Sequence, residues 1–172
     1  MKTRFVFLGL LLMWAGCGRE SARSEDRSPP PTRQEIWAAI QPLAERYRLD
    51  PALVYALVAA ESNFDPRARR GEARGLLQIK PAAWRTVSKD GYEPAVWNWR
   101  TNLSVGVDYL AYSRSYLHKK SVFSYPLLLA SFHYGLDYVE DRRFSIGDIA
   151  IPPNAIYREL WKGNLGPVSP PP

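Results

Sequence analysis

The chain has 172 residues, 46% hydrophobic and 23% charged, the values of one globular domain and not of a disordered polymer. One cysteine and two histidines exclude an internal disulfide and any zinc site of four cysteines or of two cysteines with two histidines. The formal charge of +6 points to an anionic partner, and no apolar run reaches the ~18–20 residues of a membrane-spanning helix.

The first residues are an address. Lys2 and Arg4 precede an apolar stretch from Phe5 to Trp14, and the small residues Ala15 and Gly16 follow. A charged start, an apolar centre and a small-residue cleavage site make residues 1–16 an export signal. Ala15-Gly16-Cys17 resembles the lipobox of bacterial lipoproteins. The resemblance implies that Cys17 becomes a lipidated mature N-terminus, with the incidental cysteine of a signal segment as the alternative. Gly18 stands where inner-membrane lipoproteins commonly carry Asp, which implies a periplasmic position on the outer membrane. Export in turn makes nucleic acid a poor partner for the basic charge. Residues 17–32 are rich in Ser, Arg, acids and Pro and are expected to be lipid anchor and flexible linker.

The domain is expected to run from 33 to 162 and to be mainly α. Thr32-Arg33-Gln34-Glu35 is a capping box, and Ile36, Trp37, Ile40, Leu43, Ala44 and Tyr47 follow at helical spacing, with a kink or break at Pro42. Asp50-Pro51 opens a second helix. Asn102 is expected to cap a third, with Leu103, Val107, Leu110, Arg114 and Leu117 along one stripe. Another follows Pro126, and Pro152-Pro153 opens the last. Strand-like alternation is weak throughout. Residues 163–172, rich in Gly and Pro, are expected to be a disordered tail.

The second helix carries chemistry. Glu61 lies four residues after Leu57 and three after Val58, which puts it on the apolar face at the helix C-terminus. Desolvation and the macrodipole both disfavour a negative charge there. An isolated carboxylate so placed is suited to donate a proton near neutral pH; a helix-end Glu turned to solvent is the plain alternative.

Beyond Glu61 the chain reads Glu61-Ser62-Asn63-Phe64-Asp65-Pro66-Arg67-Ala68, then Gly75-Leu76-Leu77-Gln78-Ile79-Lys80-Pro81. These segments resemble the two hallmark motifs of the soluble lytic transglycosylases. Asn102 to Leu110 resembles that family's N-I-x-x-G-x-x-Y-L helix, and Leu129 to Gly135 lies where it has A-x-A-Y-N-A-G. The resemblance runs from about Ile36 to Val139. It implies a single lysozyme-like helical domain with a substrate cleft. The implied substrate is peptidoglycan glycan strands, cut between N-acetylmuramic acid and N-acetylglucosamine. Glu61 is implied as general acid and then base, with a 1,6-anhydro product and no metal or cofactor. Gln78 is implied as a substrate-binding amide. A hydrolase on the same scaffold and a non-catalytic wall-binding module are the alternatives.

Several positions depart from the family pattern. Arg70 falls near a usual Ser, and Lys80 replaces a Met. His133 replaces an Asn, and Phe132 replaces the Tyr whose hydroxyl reaches the catalytic carboxyl. Phe132 cannot make that contact, which leaves Tyr134 to approach from elsewhere. Phe132 and Tyr134 are carried forward as substrate-site residues, with Ser62, which could orient Glu61 or cap the next turn. His133 and His118 are expected to be structural. Asp65, Glu72 and Asp137 are second carboxylates with nothing in the sequence to position them, and Pro66 removes Asp65 from the face of Glu61. Arg67, Arg69, Arg70 and Arg74 crowd the segment between the two motifs. They suit the anionic peptides and lactyl groups of peptidoglycan, or a solvated loop.

Overall fold

The computed structural model describes residues 29–172. The export signal, Cys17 and the linker up to residue 28 lie outside the described residues. Helix α1, Arg33–Tyr47, begins at Thr32, whose side chain accepts from the Glu35 amide while the Glu35 carboxylate reaches back to the Thr32 amide. Pro42 lies inside α1 and does not break it. Helix α2, Pro51–Ser62, starts at Asp50, which accepts from the Ala52 amide, and stops where Asn63 turns left-handed.

A two-residue hairpin follows, β1 Arg69–Arg70 against β2 Ala73–Arg74. Three helices come next, α3 Pro81–Val87, the short α4 Tyr92–Ala95 and the long α5 Trp99–Lys119. The remainder is α6 Tyr125–Tyr134, α7 Leu136–Asp141, a 3-10 turn at Ile146–Asp148 and α8 Ala155–Trp161.

Helix α2 is the axis of the molecule. Every residue from Leu53 to Glu61 is buried, because α2 packs on both α1 and α8. Each aliphatic side chain sequestered in this way contributes ~1.5–3 kcal/mol, so an all-round apolar helix has no stable place except at the centre. Helix α6 packs on α5, α7 and α8.

Three sequence expectations need correction. Asn98, not Asn102, caps α5, accepting from the Thr101 amide. Asn102 lies one turn inside the helix and is fully buried. Its side chain accepts from the Leu77 amide and donates to the carbonyls of Arg74 and Val96. It is a rivet between α5 and the loop that carries Gln78. Gly75 is required there, since a Cβ would stand 2.4 Å from the Asn102 amide and its φ is +76°. Second, Asn154 caps α8, two residues after the proline pair begins. Third, residues 163–172 are not a free tail: Leu165 and Val168 pack against the core.

Candidate active site

Glu61 enters the site from the last turn of α2 and is 5% exposed. Burying a carboxylate costs several kcal/mol unless it is hydrogen-bonded, and this one is. The Tyr157 hydroxyl, from α8, donates to Oε1 at 2.5 Å. His133 Nδ1, from α6, lies 2.9 Å from the same oxygen. Arg70 Nη1, from the hairpin, lies 3.1 Å from Oε2. A second Arg70 nitrogen donates to the Glu61 carbonyl at 2.9 Å, which satisfies one of the carbonyls left over at the helix end. The expectation of an isolated carboxylate is therefore corrected: three elements each send a polar group to Glu61.

Burial, and then the charge of Glu61, hold the Tyr157 phenol well above its ordinary range. Tyr157 keeps its proton and remains a donor. Asn154 fixes α8 beside it, donating to the Ala60 carbonyl while it caps its own helix.

Gln78 sits on the loop riveted by Asn102, with φ at +47°, a conformation uncommon outside glycine. Its Nε2 donates to the carbonyls of Ala68 and Gly75 at 2.9 and 2.8 Å. Both donors are spent, so the amide orientation is determined. Oε1 is buried without a hydrogen-bond partner. Gln78 lines two cavities, one of about 330 Å³ beside Glu61 and Arg70 and one of about 290 Å³ beside Phe132 and Tyr134. An orphan acceptor on a residue that lines both cavities is suited to an N–H or O–H brought by a ligand.

The other predicted residues divide. The Ser62 hydroxyl donates to the Val58 carbonyl; it neither orients Glu61 nor caps the next turn, although Ser62 lines the first cavity. Phe132 packs on Tyr109 and lines the second cavity. Tyr134 stacks on Tyr138 at 4.5 Å and meets His133 edge-on. The hydroxyl missing at Phe132 comes instead from Tyr157, which the sequence reading passed over. His133, expected to be only structural, touches the acid; His118 stacks on Phe123. Asp65 accepts from the Arg67 amide within its own turn. Among the described residues, Glu61 is the sole carboxylate lining the first cavity. Asp137 and Glu140 line the second, where Glu140 is held by Tyr116 and Lys120.

The model of the transglycosylase SLT domain matches residues 38–143. The chain belongs to the transglycosylase SLT domain family. Its mainly α, lysozyme-like architecture follows from that membership and from the eight helices among the described residues. Similar proteins are described as endo-type membrane-bound lytic murein transglycosylase A, from Salmonella paratyphi B, Salmonella enteritidis and Salmonella typhimurium. Each is 31% identical over 129 residues, which cover 64% of this chain and 60% of the relative. The chain thus spans less than two thirds of the length of these relatives. The family match ends before α8, so Tyr157 falls outside the matched residues.

Proposed function

We propose that this protein is a peptidoglycan lytic transglycosylase in which Glu61 serves first as acid and then as base. In the first half, Glu61 gives its proton to the glycosidic oxygen and the bond from that oxygen to the muramic C1 breaks. In the second half, the carboxylate takes the proton of the muramic C6 hydroxyl as that oxygen bonds to C1. No water is consumed, and a 1,6-anhydro end results. The observation that carries this reading is the cavity beside Glu61, which no second carboxylate lines among the described residues. A hydrolase would need a base to activate water there. Tyr157 and His133 would hold the carboxylate through the second half, and Gln78 Oε1 would accept the acetamido N–H of a sugar. Family membership and the lytic murein transglycosylase relatives support the same reading.

Mass analysis of digested sacculi tests it. Anhydro ends, lighter than reducing ends by one water, are expected from the wild-type chain. Glu61→Gln should fold and lower their release by ~10²–10⁴, the loss typical of general acid–base catalysis. Reducing ends would replace this mechanism with hydrolysis, and unchanged sacculi would leave a wall-binding module.

The same proposal includes export and attachment to the outer membrane through lipid on Cys17, supported by relatives described as membrane-bound. Cys17→Ser should release the protein from carbonate-washed membranes. Retention there would remove the lipid anchor from the proposal.

A further inference from the structure

The two oxygens of Glu61 are not equivalent. Oε1 takes both Tyr157 and His133, whereas Oε2 takes Arg70. A guanidinium has donors only. While Arg70 sits on Oε2, the oxygen that Tyr157 and His133 leave open faces a cationic donor.

Arg70 is also the most exposed of the partners. Its side chain is 59% exposed against 4% for that of Glu61. It lies at the rim of the first cavity beside Arg69, whose guanidinium is held over the Trp97 ring at 4.3 Å. A guanidinium fork at a cavity rim fits a carboxylate with two parallel hydrogen bonds, whereas at Glu61 the fork is split, one bond going to the carboxylate and one to the backbone carbonyl. An incoming carboxylate would exchange these two bonds for a parallel pair to one charged group.

We propose that Arg70 is the receptor for a carboxylate of the substrate and that the free protein stores this receptor on its own acid. When a carboxylate-bearing glycan enters, Arg70 transfers to it, and Oε2 is released to take a proton from solvent. The groups facing Glu61 in the unloaded state are Arg70 from the hairpin, His133 from α6 and Tyr157 from α8, with Tyr134 near Tyr157. Only the first of these leaves. The inference rests on the peptidoglycan reading for the identity of the glycan. It adds that the site discriminates by charge and that binding of a charged glycan uncovers Oε2.

Calorimetry on the full chain tests the receptor without needing turnover. The probes are a peptide-bearing muramyl glycan, the same glycan stripped to its lactyl carboxylate, and a neutral N-acetylglucosamine oligomer. Wild type should bind at least one carboxylate-bearing probe about tenfold more tightly than the neutral one, and Arg70→Ala should bring the ratio near one. Arg70→Lys keeps the charge without the fork and should fall between, which covers the case of a poorly folded alanine variant. Tight binding of both charged probes assigns the lactyl group; tight binding of the peptide-bearing probe alone assigns the stem peptide. Discrimination retained by both variants overturns the proposal. Charge discrimination without release of anhydro ends would support the receptor and overturn the cleavage reading.

Discussion

The hydroxyl of Tyr157 reaches Oε1 of Glu61 across 96 residues of sequence, at 2.5 Å, with both groups buried. Hydrogen bonds to a charged group contribute ~1.5–3 kcal/mol. In the proposed reaction this bond matters most while Glu61 is ionised. Tyr157→Phe keeps the ring, which fills its place in the core, and removes the donor. The expected result is a folded protein with kcat on sacculi lowered about tenfold. Thermal unfolding beside the turnover assay checks both halves.

Phe132→Tyr tests where a hydroxyl is useful. A Tyr at 132 would match the family pattern, but Oε1 already has two partners and Phe132 packs on Tyr109. No gain in turnover is expected. A several-fold increase in anhydro-end release would show that a hydroxyl at 132 still reaches the carboxyl.

Asn102→Ala removes three hydrogen bonds at once and leaves the Leu77 amide without its acceptor. Each buried group left unpaired costs ~1–3 kcal/mol. The expected loss is about 3 kcal/mol in urea unfolding. Because Gln78 sits on the loop that Asn102 fixes, glycan affinity should fall along with stability. The conserved unfolding midpoint of a well-folded variant would contradict the rivet.

Tyr92 predicts an alkaline weakness. Burial, more than any charge, pushes its phenol up to about 12, and its hydroxyl donates to the carbonyls of Glu72 and Ile79. The folded state therefore holds a proton that the unfolded chain gives up near pH 10. Its contribution is fully present below pH 10 and is lost as pH rises towards about 12. Tyr92→Phe should be less stable at neutral pH and show a shallower decline across that window. Denaturant titrations at several pH values measure the slope.

Local signals were legible and distant ones were not. The capping box at Thr32 and the Asp50-Pro51 start depend on neighbours within four residues, and both helices begin where those signals place them. Glu61 stood out because it interrupts an apolar helix. Asn98 and Asn102 are one turn apart and precede the same stripe, so spacing could not separate a cap from a rivet; the partner at Leu77 is 25 residues away. Arg70, His133 and Tyr157 converge from three elements. Their roles depend on the packing of α8 against α2 and of α6 against α8, which no local pattern encodes. A Tyr three residues past a helix-capping Asn was the available signal for Tyr157, and it looks like any core tyrosine.

The position of α8 has a consequence for biosynthesis. A chain made from its N-terminus carries Glu61 long before Asn154 and Tyr157 exist. Until that last helix docks, the carboxylate lacks the donor that arrives with α8, and the Ala60 carbonyl lacks Asn154. The acid is thus finished by α8, and a nascent or prematurely truncated product has the family motifs without a completed acid.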